Sequence, residues 1–209
     1  MMQRLKPKMT ALIDRMHFSE LSRQDPQDVC RRACCRYDAV EAQYILRVWG
    51  DDYGVSLKRH EIDCAGSQIP SEIDYLGLFI IHYLLNAKAI EPANRWISEK
   101  DIPGGPTFFR GPHAIPTTLI SNRFGNDIDA FKATCEQLHG TALDMADAAY
   151  RFDMAPRIPI AVLYWLGDDD FPAEAKILYD GTIVDHLASD IVYALAVAIC
   201  LKVEAPSGR

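Results

Sequence analysis

The chain predicts an α+β fold, a mostly antiparallel sheet packed against buried helices within a single domain. Three observations carry that expectation. Extended-looking segments fall in hairpin pairs, near 42–64 and 146–180. Two other segments, 72–89 and 190–202, are apolar nearly all round, and a helix without a polar face belongs inside a fold. Helical and extended patterns also come in blocks rather than in strict βαβ alternation, which disfavours a doubly wound parallel sheet.

The elements follow in order. Met9, Leu12, Ile13 and Met16 recur at helical spacing and predict an amphipathic N-terminal helix, so the ordered core spans about 9–203, with a frayed tail. Asp25-Pro26 places an N-cap before a proline at the first helical position, opening a helix over 27–37. From 41 to 64 the period drops to two, with a turn at Gly50-Asp51-Asp52 and a third short strand at 60–64. Residues 66–70 read as loop. Ser71 with Asp74 resembles a capping box for the first apolar helix, which carries His82. Asn94 to Lys100 holds Trp96 and reads as a short strand or turn.

Residues 102–116 contain four prolines and three glycines, a composition that predicts loop. A short helix over 117–124 stops at Gly125. Asn126 with Asp129 opens the next helix, and Gly140 is read as its C′ residue. Ala148 to Asp153 alternates as a strand. Pro159 begins a strand buried on both faces, Ile160 to Leu166; the turn 167–172 then returns the chain through 173–179. Ser189-Asp190 is read as the cap of the last helix.

Composition bounds the function. At 209 residues, 49% hydrophobic and 24% charged, the chain is an ordinary single domain. A net charge of −7 argues against a general nucleic-acid binder, which needs a basic face to displace counterions. The charge is uneven: residues 1–59 hold 11 Lys/Arg against 8 Asp/Glu, and the remainder 11 against 21. No apolar run approaches the roughly 20 residues a bilayer requires. The first residues lack the apolar stretch of a signal peptide, so the six cysteines are expected as reduced thiols in the cytoplasm.

Several groups are candidates for chemistry. Phe108, Phe109, Arg110 and His113 are the non-turn content of the Pro/Gly-rich loop, and loops with aromatic and basic residues often face ligands; the other reading is a packed Ω-type loop. Asp168, Asp169 and Asp170 set three carboxylates side by side, which calls for solvent, a cation or a basic partner. Asp168 and Asp170 with His186 would supply a metal or general-base site, and Arg157 lies near them in sequence. Cys30 and Cys34 share a face on a continuous helix and would form half a tetrahedral metal site, or simply pack an apolar surface; Cys35 points elsewhere. His82 in an apolar helix reads first as a core residue.

The order of these pieces resembles an uncharacterised prokaryotic family, domain of unknown function 3786. The resemblance rests on Asp25-Pro26 with Tyr37-Asp38, then Leu46-Arg47-Val48-Trp49-Gly50 leading to Tyr53-Gly54-Val55-Ser56. Tyr83-Leu84-Leu85, Pro103-Gly104-Gly105 and Pro156-Arg157-Ile158-Pro159-Ile160 follow. Trp165, Gly167-Asp168, Phe171-Pro172 and Ile177-Leu178-Tyr179-Asp180 complete it. The resemblance implies a place in the metabolism of anaerobic bacteria and archaea, and for some members an iron–sulfur segment of four close cysteines, of a kind also found beside corrinoid proteins. This chain departs from that arrangement, having only Cys30, Cys34 and Cys35 in its N-terminal part. The expected function is a cytoplasmic accessory protein that binds a small molecule, a cofactor or a partner protein, with a divalent metal, a tetrapyrrole or an iron–sulfur group as the cofactors in view. The alternatives are a metal-assisted hydrolase or transferase using Asp168, Asp170 and His186, and a structural subunit without chemistry.

Overall fold

The computed structural model describes residues 13–64 and 73–205. The chain begins with α1 (Arg15–Leu21) and α2 (Pro26–Ala33), followed by β1 (Arg36–Asp38), β2 (Gln43–Val48), β3 (Asp51–Ser56) and β4 (Glu61–Cys64). Next are α3 (Ile73–Asn86), β5 (Trp96–Ile97), α4 (Gly105–Phe108), α5 (Thr118–Phe124) and α6 (Ile128–Gln137). The last part holds β6 (Thr141–Leu143), β7 (Ala148–Ala155), β8 (Ile158–Trp165), β9 (Glu174–Asp180), α7 (Ile183–His186) and α8 (Ser189–Glu204). The strands make two antiparallel sheets, ordered β1-β2-β3-β4 and β5-β9-β8-β7-β6. The fold is α+β, as the block pattern predicts.

The two apolar helices are the centre of the packing. α3 and α8 lie against each other, α5 packs on α8 and β9, and the two sheets meet where β2 approaches β7. Phe79, Ile80, Ile81 and Leu84 of α3 and Val192, Leu195, Ala196 and Ile199 of α8 are fully buried. β8 is the middle strand of its sheet. Its Ile160, Val162 and Tyr164 enter this core, while Ala161 and Leu163 join a separate apolar cluster on the outer face, with Trp96, Trp165 and Leu178. A strand apolar on both faces is what such a position demands.

Where the structure departs from the sequence reading, the cause is local. α2 ends four residues early, because Cys34 takes the left-handed conformation (φ 53°) and turns the chain into β1. The β2–β3 hairpin turns at Trp49-Gly50, both with positive φ, so Asp51 and Asp52 belong to β3. The Pro/Gly-rich stretch is not all loop: Pro106 and Pro112 sit in the first turn of α4 and of a 3-10 turn at Gly111–His113, where a missing N–H costs nothing. Asp127, not Asn126, caps α6, its carboxylate accepting from the Ala130 amide at 3.0 Å. Asn126 instead clasps Gly167 through both its amide atoms (2.8 and 3.3 Å). At the other end of α6 His139 takes the left-handed position (φ 62°), and Gly140 closes the turn by donating to the Cys135 carbonyl. Ala188 stands at the N-cap of α8, and the helix runs through buried Val203 to Glu204, past the predicted frayed start. β1, β6 and α7 carried no sequence signal. The expectations for Met9, Leu12, the 66–70 loop and the Ser71 cap lie outside the described residues.

Candidate functional site

Six polar or charged residues are buried among the described residues, and four of them hold one segment, the 87–95 connection between α3 and β5. Arg32 donates through Nη1 to the Ala87 carbonyl (3.0 Å). Arg157, at the tight turn between β7 and β8, donates through Nη1 to the Ile90 carbonyl (2.8 Å) and the Glu91 carboxylate (2.5 Å), and through Nε to the Arg32 carbonyl (3.0 Å). Asp180 accepts from the amides of Ala93, Arg95 and Thr182 and from the Thr182 hydroxyl. Burial pushes the Asp180 carboxyl upward, but these four bonds outweigh it and leave its pKa below the ordinary value. His186 accepts the Lys88 amide on Nδ1 (3.2 Å). A segment without regular structure has no ladder to satisfy its backbone, so side chains from α2, the β7–β8 turn, β9 and α7 do it instead.

This anchoring shapes a cleft of about 420 Å³. Its walls are His82 and Asn86 from the end of α3, Lys88 from the anchored segment, Asp185 and His186 from α7, and Asp190 from the first turn of α8. Its size falls in the range of small-molecule pockets, roughly 300–1,000 Å³. Because Nδ1 of His186 accepts a hydrogen bond, the neutral ring carries its proton on Nε2, and that buried donor has no acceptor among the described residues. His82 meets the ring of His17 edge-on at 4.6 Å. Lys88, Asp185 and Asp190 are exposed, and none forms an ion pair among the described residues.

Burial lowers the pKa of both His82 and His186 below the ordinary 6.5; the His17 ring adds to the effect on His82, and Asp185 opposes it at His186. Both imidazoles are therefore neutral near pH 7. Unfolded, each would take up a proton near 6.5, so the unfolded chain binds more protons below that pH. The stability these rings contribute is complete above about 6.5 and declines as pH falls toward their lower folded values. Denaturant melts at pH 7.5 and 5.5 should show this loss, bounded by about 1.4 kcal/mol per pH unit for each ring. His186→Gln, which can still accept from the Lys88 amide, should flatten part of the slope; an unchanged slope would remove His186 from the account.

The residues singled out from the sequence are scattered by comparison. Asp168 lies at the β8–β9 turn, where its carboxylate accepts from the amides of Asp170 and Phe171 (2.9 and 2.8 Å). His186 lies beyond the opposite end of β9, a strand of seven residues, about 20 Å away at the usual rise. Asp168, Asp170 and His186 therefore do not meet, and among the described residues no three His, Cys, Asp or Glu side chains are grouped to hold a metal ion. Arg157 does share the end of the sheet that holds His186, but its Nε and Nη1 are engaged by the Arg32 and Ile90 carbonyls and the Glu91 carboxylate. In the 108–113 loop, Phe108 stacks on His113 (4.6 Å), His113 meets Tyr193 edge-on, and Arg110 is exposed. Phe109 lines a smaller cleft of about 270 Å³, beside Glu99, Lys100 and Lys176. The early end of α2 also rearranges the cysteines. Cys30 approaches Cys35 (Sγ–Sγ 3.9 Å) rather than sharing a helical face with Cys34, which is exposed, and all six cysteines are free.

Sequence reasoning reached His186 and treated His82 as core. It missed Lys88, which lies about a hundred positions before Asp185 and Asp190 and carries no local pattern, and it read Asp190 only as part of a helix cap. No helix among the described residues is long and apolar enough to cross a membrane. No curated protein and no solved structure matches the chain. The model of a family described as a domain of unknown function, DUF3786, matches residues 25–202, and the chain belongs to that family.

Proposed function

We propose that this is a cytoplasmic binding protein, an accessory protein rather than a metal hydrolase, and that it takes a small polar molecule in the cleft of His82, Lys88, Asp185, His186 and Asp190. The observation that carries the reading is convergence: two stretches far apart in sequence, 82–88 and 184–191, bring two neutral imidazoles, one ammonium and two carboxylates to one concavity. Four buried side chains fix the backbone of the wall that carries Lys88. Pre-ordering a wall in this way lowers the entropy lost when a ligand arrives. Charges of both signs without ion-pair partners suit an amphoteric ligand, one with a cationic and an anionic group.

A thermal-shift screen of amino acids, small organic acids, amines and phosphate esters tests it. A hit should lose about tenfold or more in affinity in both Lys88→Ala and His82→Ala, equivalent to about 1.4 kcal/mol. Phe109→Ala, in the other cleft, should leave the Kd unchanged. A hit sensitive to Phe109 and indifferent to Lys88 and His82 would overturn the assignment, and so would a screen that raises Tm for no compound.

A further inference from the structure

The end of α2 carries a second feature that the cleft does not use. The left-handed turn at Cys34 lets the amides of Cys34 and Cys35 both donate to the Cys30 carbonyl, the latter at 3.2 Å. A hydrogen bond between residues five apart draws their backbones together. Here it sets the Cys30 and Cys35 sulfurs 3.9 Å from each other, both half-buried, with Cys34 turned out to solvent. A disulfide needs the sulfurs at about 2.05 Å and Cα atoms within about 4.4–6.8 Å. The Cys35 amide bonded to the Cys30 carbonyl already holds the two backbones together, and closing the remaining gap between the sulfurs calls for side-chain rotation. The hydroxyl of Tyr44, buried and without a partner among the described residues, lies in the same neighbourhood, its ring 4.7 Å from that of Tyr37.

We infer that Cys30 and Cys35 form a reversible dithiol–disulfide site whose oxidant is hydrogen peroxide. In the first step a Cys30 thiolate attacks one peroxide oxygen; the S–O bond forms, the O–O bond breaks, and the departing oxygen leaves as water after taking up a proton. In the second, Cys35 sulfur attacks the Cys30 sulfenic acid; the S–S bond forms, the S–O bond breaks, and a second water leaves with the Cys35 proton. Two thiols are oxidised by two electrons and one peroxide is reduced. The order of attack follows from the packing. Burial beside Cys30 pushes the pKa of Cys35 strongly up, so Cys35 is the resolving partner and not the first nucleophile. The bond would close a small ring over the turn whose preceding carbonyls, Arg32 and Ala33, receive Arg157 and Tyr83. Oxidation thus staples the point where α2 is tied to the rest of the fold.

Peptide mapping of the full chain tests this. The reduced protein is treated with a modest excess of hydrogen peroxide, unreacted thiols are alkylated after denaturation, and the digest is read by mass spectrometry. Trypsin cuts at Arg31 and Arg32, so Cys30 and Cys35 fall on different peptides. The expected result is one cross-linked pair joining them, four alkylated cysteines in place of six, and full recovery of six after dithiothreitol. Cys34→Ser should keep the cross-link and Cys35→Ser should abolish it, leaving Cys30 as a trappable sulfenic acid. Six alkylatable thiols after peroxide would overturn the inference. So would a cross-link that survives Cys35→Ser and vanishes in Cys34→Ser, which would make the exposed thiol the partner. The wild-type digest alone decides whether a bond forms, whatever the variants do to folding.

Discussion

Arg157→Met should destabilise the protein by roughly 3 kcal/mol, because it withdraws charged donors from the carbonyls of Arg32 and Ile90 while keeping most of the buried stem. In a chain of this size that corresponds to a fall in Tm of about 6–12 °C. The ion pair with Glu91 is the smaller part: Glu91 is 85% exposed, whereas Arg157 is buried. An exposed partner can rehydrate, so Glu91→Gln should cost about 1 kcal/mol or less. Urea denaturation of the two variants separates the explanations. If Glu91→Gln were as damaging as Arg157→Met, the ion pair and not the backbone anchoring would be holding the 87–95 segment. Arg157→Met should also weaken any ligand of the histidine cleft, since the wall carrying Lys88 loses one of its ties.

Phe131→Ala should cost about 4 kcal/mol. The ring is fully buried, stacks on Tyr164 at 4.6 Å, and is met edge-on by Phe124 and Tyr150. Removing it opens a cavity among side chains that cannot collapse freely, because Tyr164 is held in place by its hydroxyl, which donates to the Gly125 carbonyl at 2.6 Å. Phe131→Leu keeps most of the volume and should lose less than half as much. Equilibrium unfolding gives both values, and equal losses for the two substitutions would show that the site relaxes and that the aromatic cluster is not what limits it. The effect on the histidine cleft should be small, since α6 contributes nothing to its walls.

The parts of this fold that were legible share a physical cause. β8 could be read because burial on both faces leaves no room for polar side chains, and because Pro159 and the acidic run at 168–170 bound it sharply. α3 and α8 could be read because a helix packed on all sides shows no polar stripe. What could not be read were backbone choices that the usual residues do not announce. Cys34 and His139 take left-handed turns without being glycine, and each displaced a helix end or its cap. The candidate site was obscured for a different reason. His186 and Lys88 meet across 98 positions, and nothing in either neighbourhood refers to the other. The Asp168–Asp170 cluster, by contrast, was conspicuous in sequence, yet its Asp168 carboxylate accepts the free amides of its own turn, a local demand with no bearing on a ligand.

The left-handed Trp49 at the β2–β3 turn has a practical consequence. Its indole N–H donates to the Leu138 carbonyl at 2.8 Å, and its ring lies 5.4 Å from Phe152 of the second sheet. Of the three tryptophans in the chain, it alone bridges the two sheets; Trp96 and Trp165 sit half-buried on the outer face of the larger one. Intrinsic fluorescence therefore carries two separable signals. A red shift from Trp49 marks the sheets coming apart, while quenching by a soluble agent reports chiefly on the outer pair, so a single cuvette can distinguish separation of the halves from loosening of one surface.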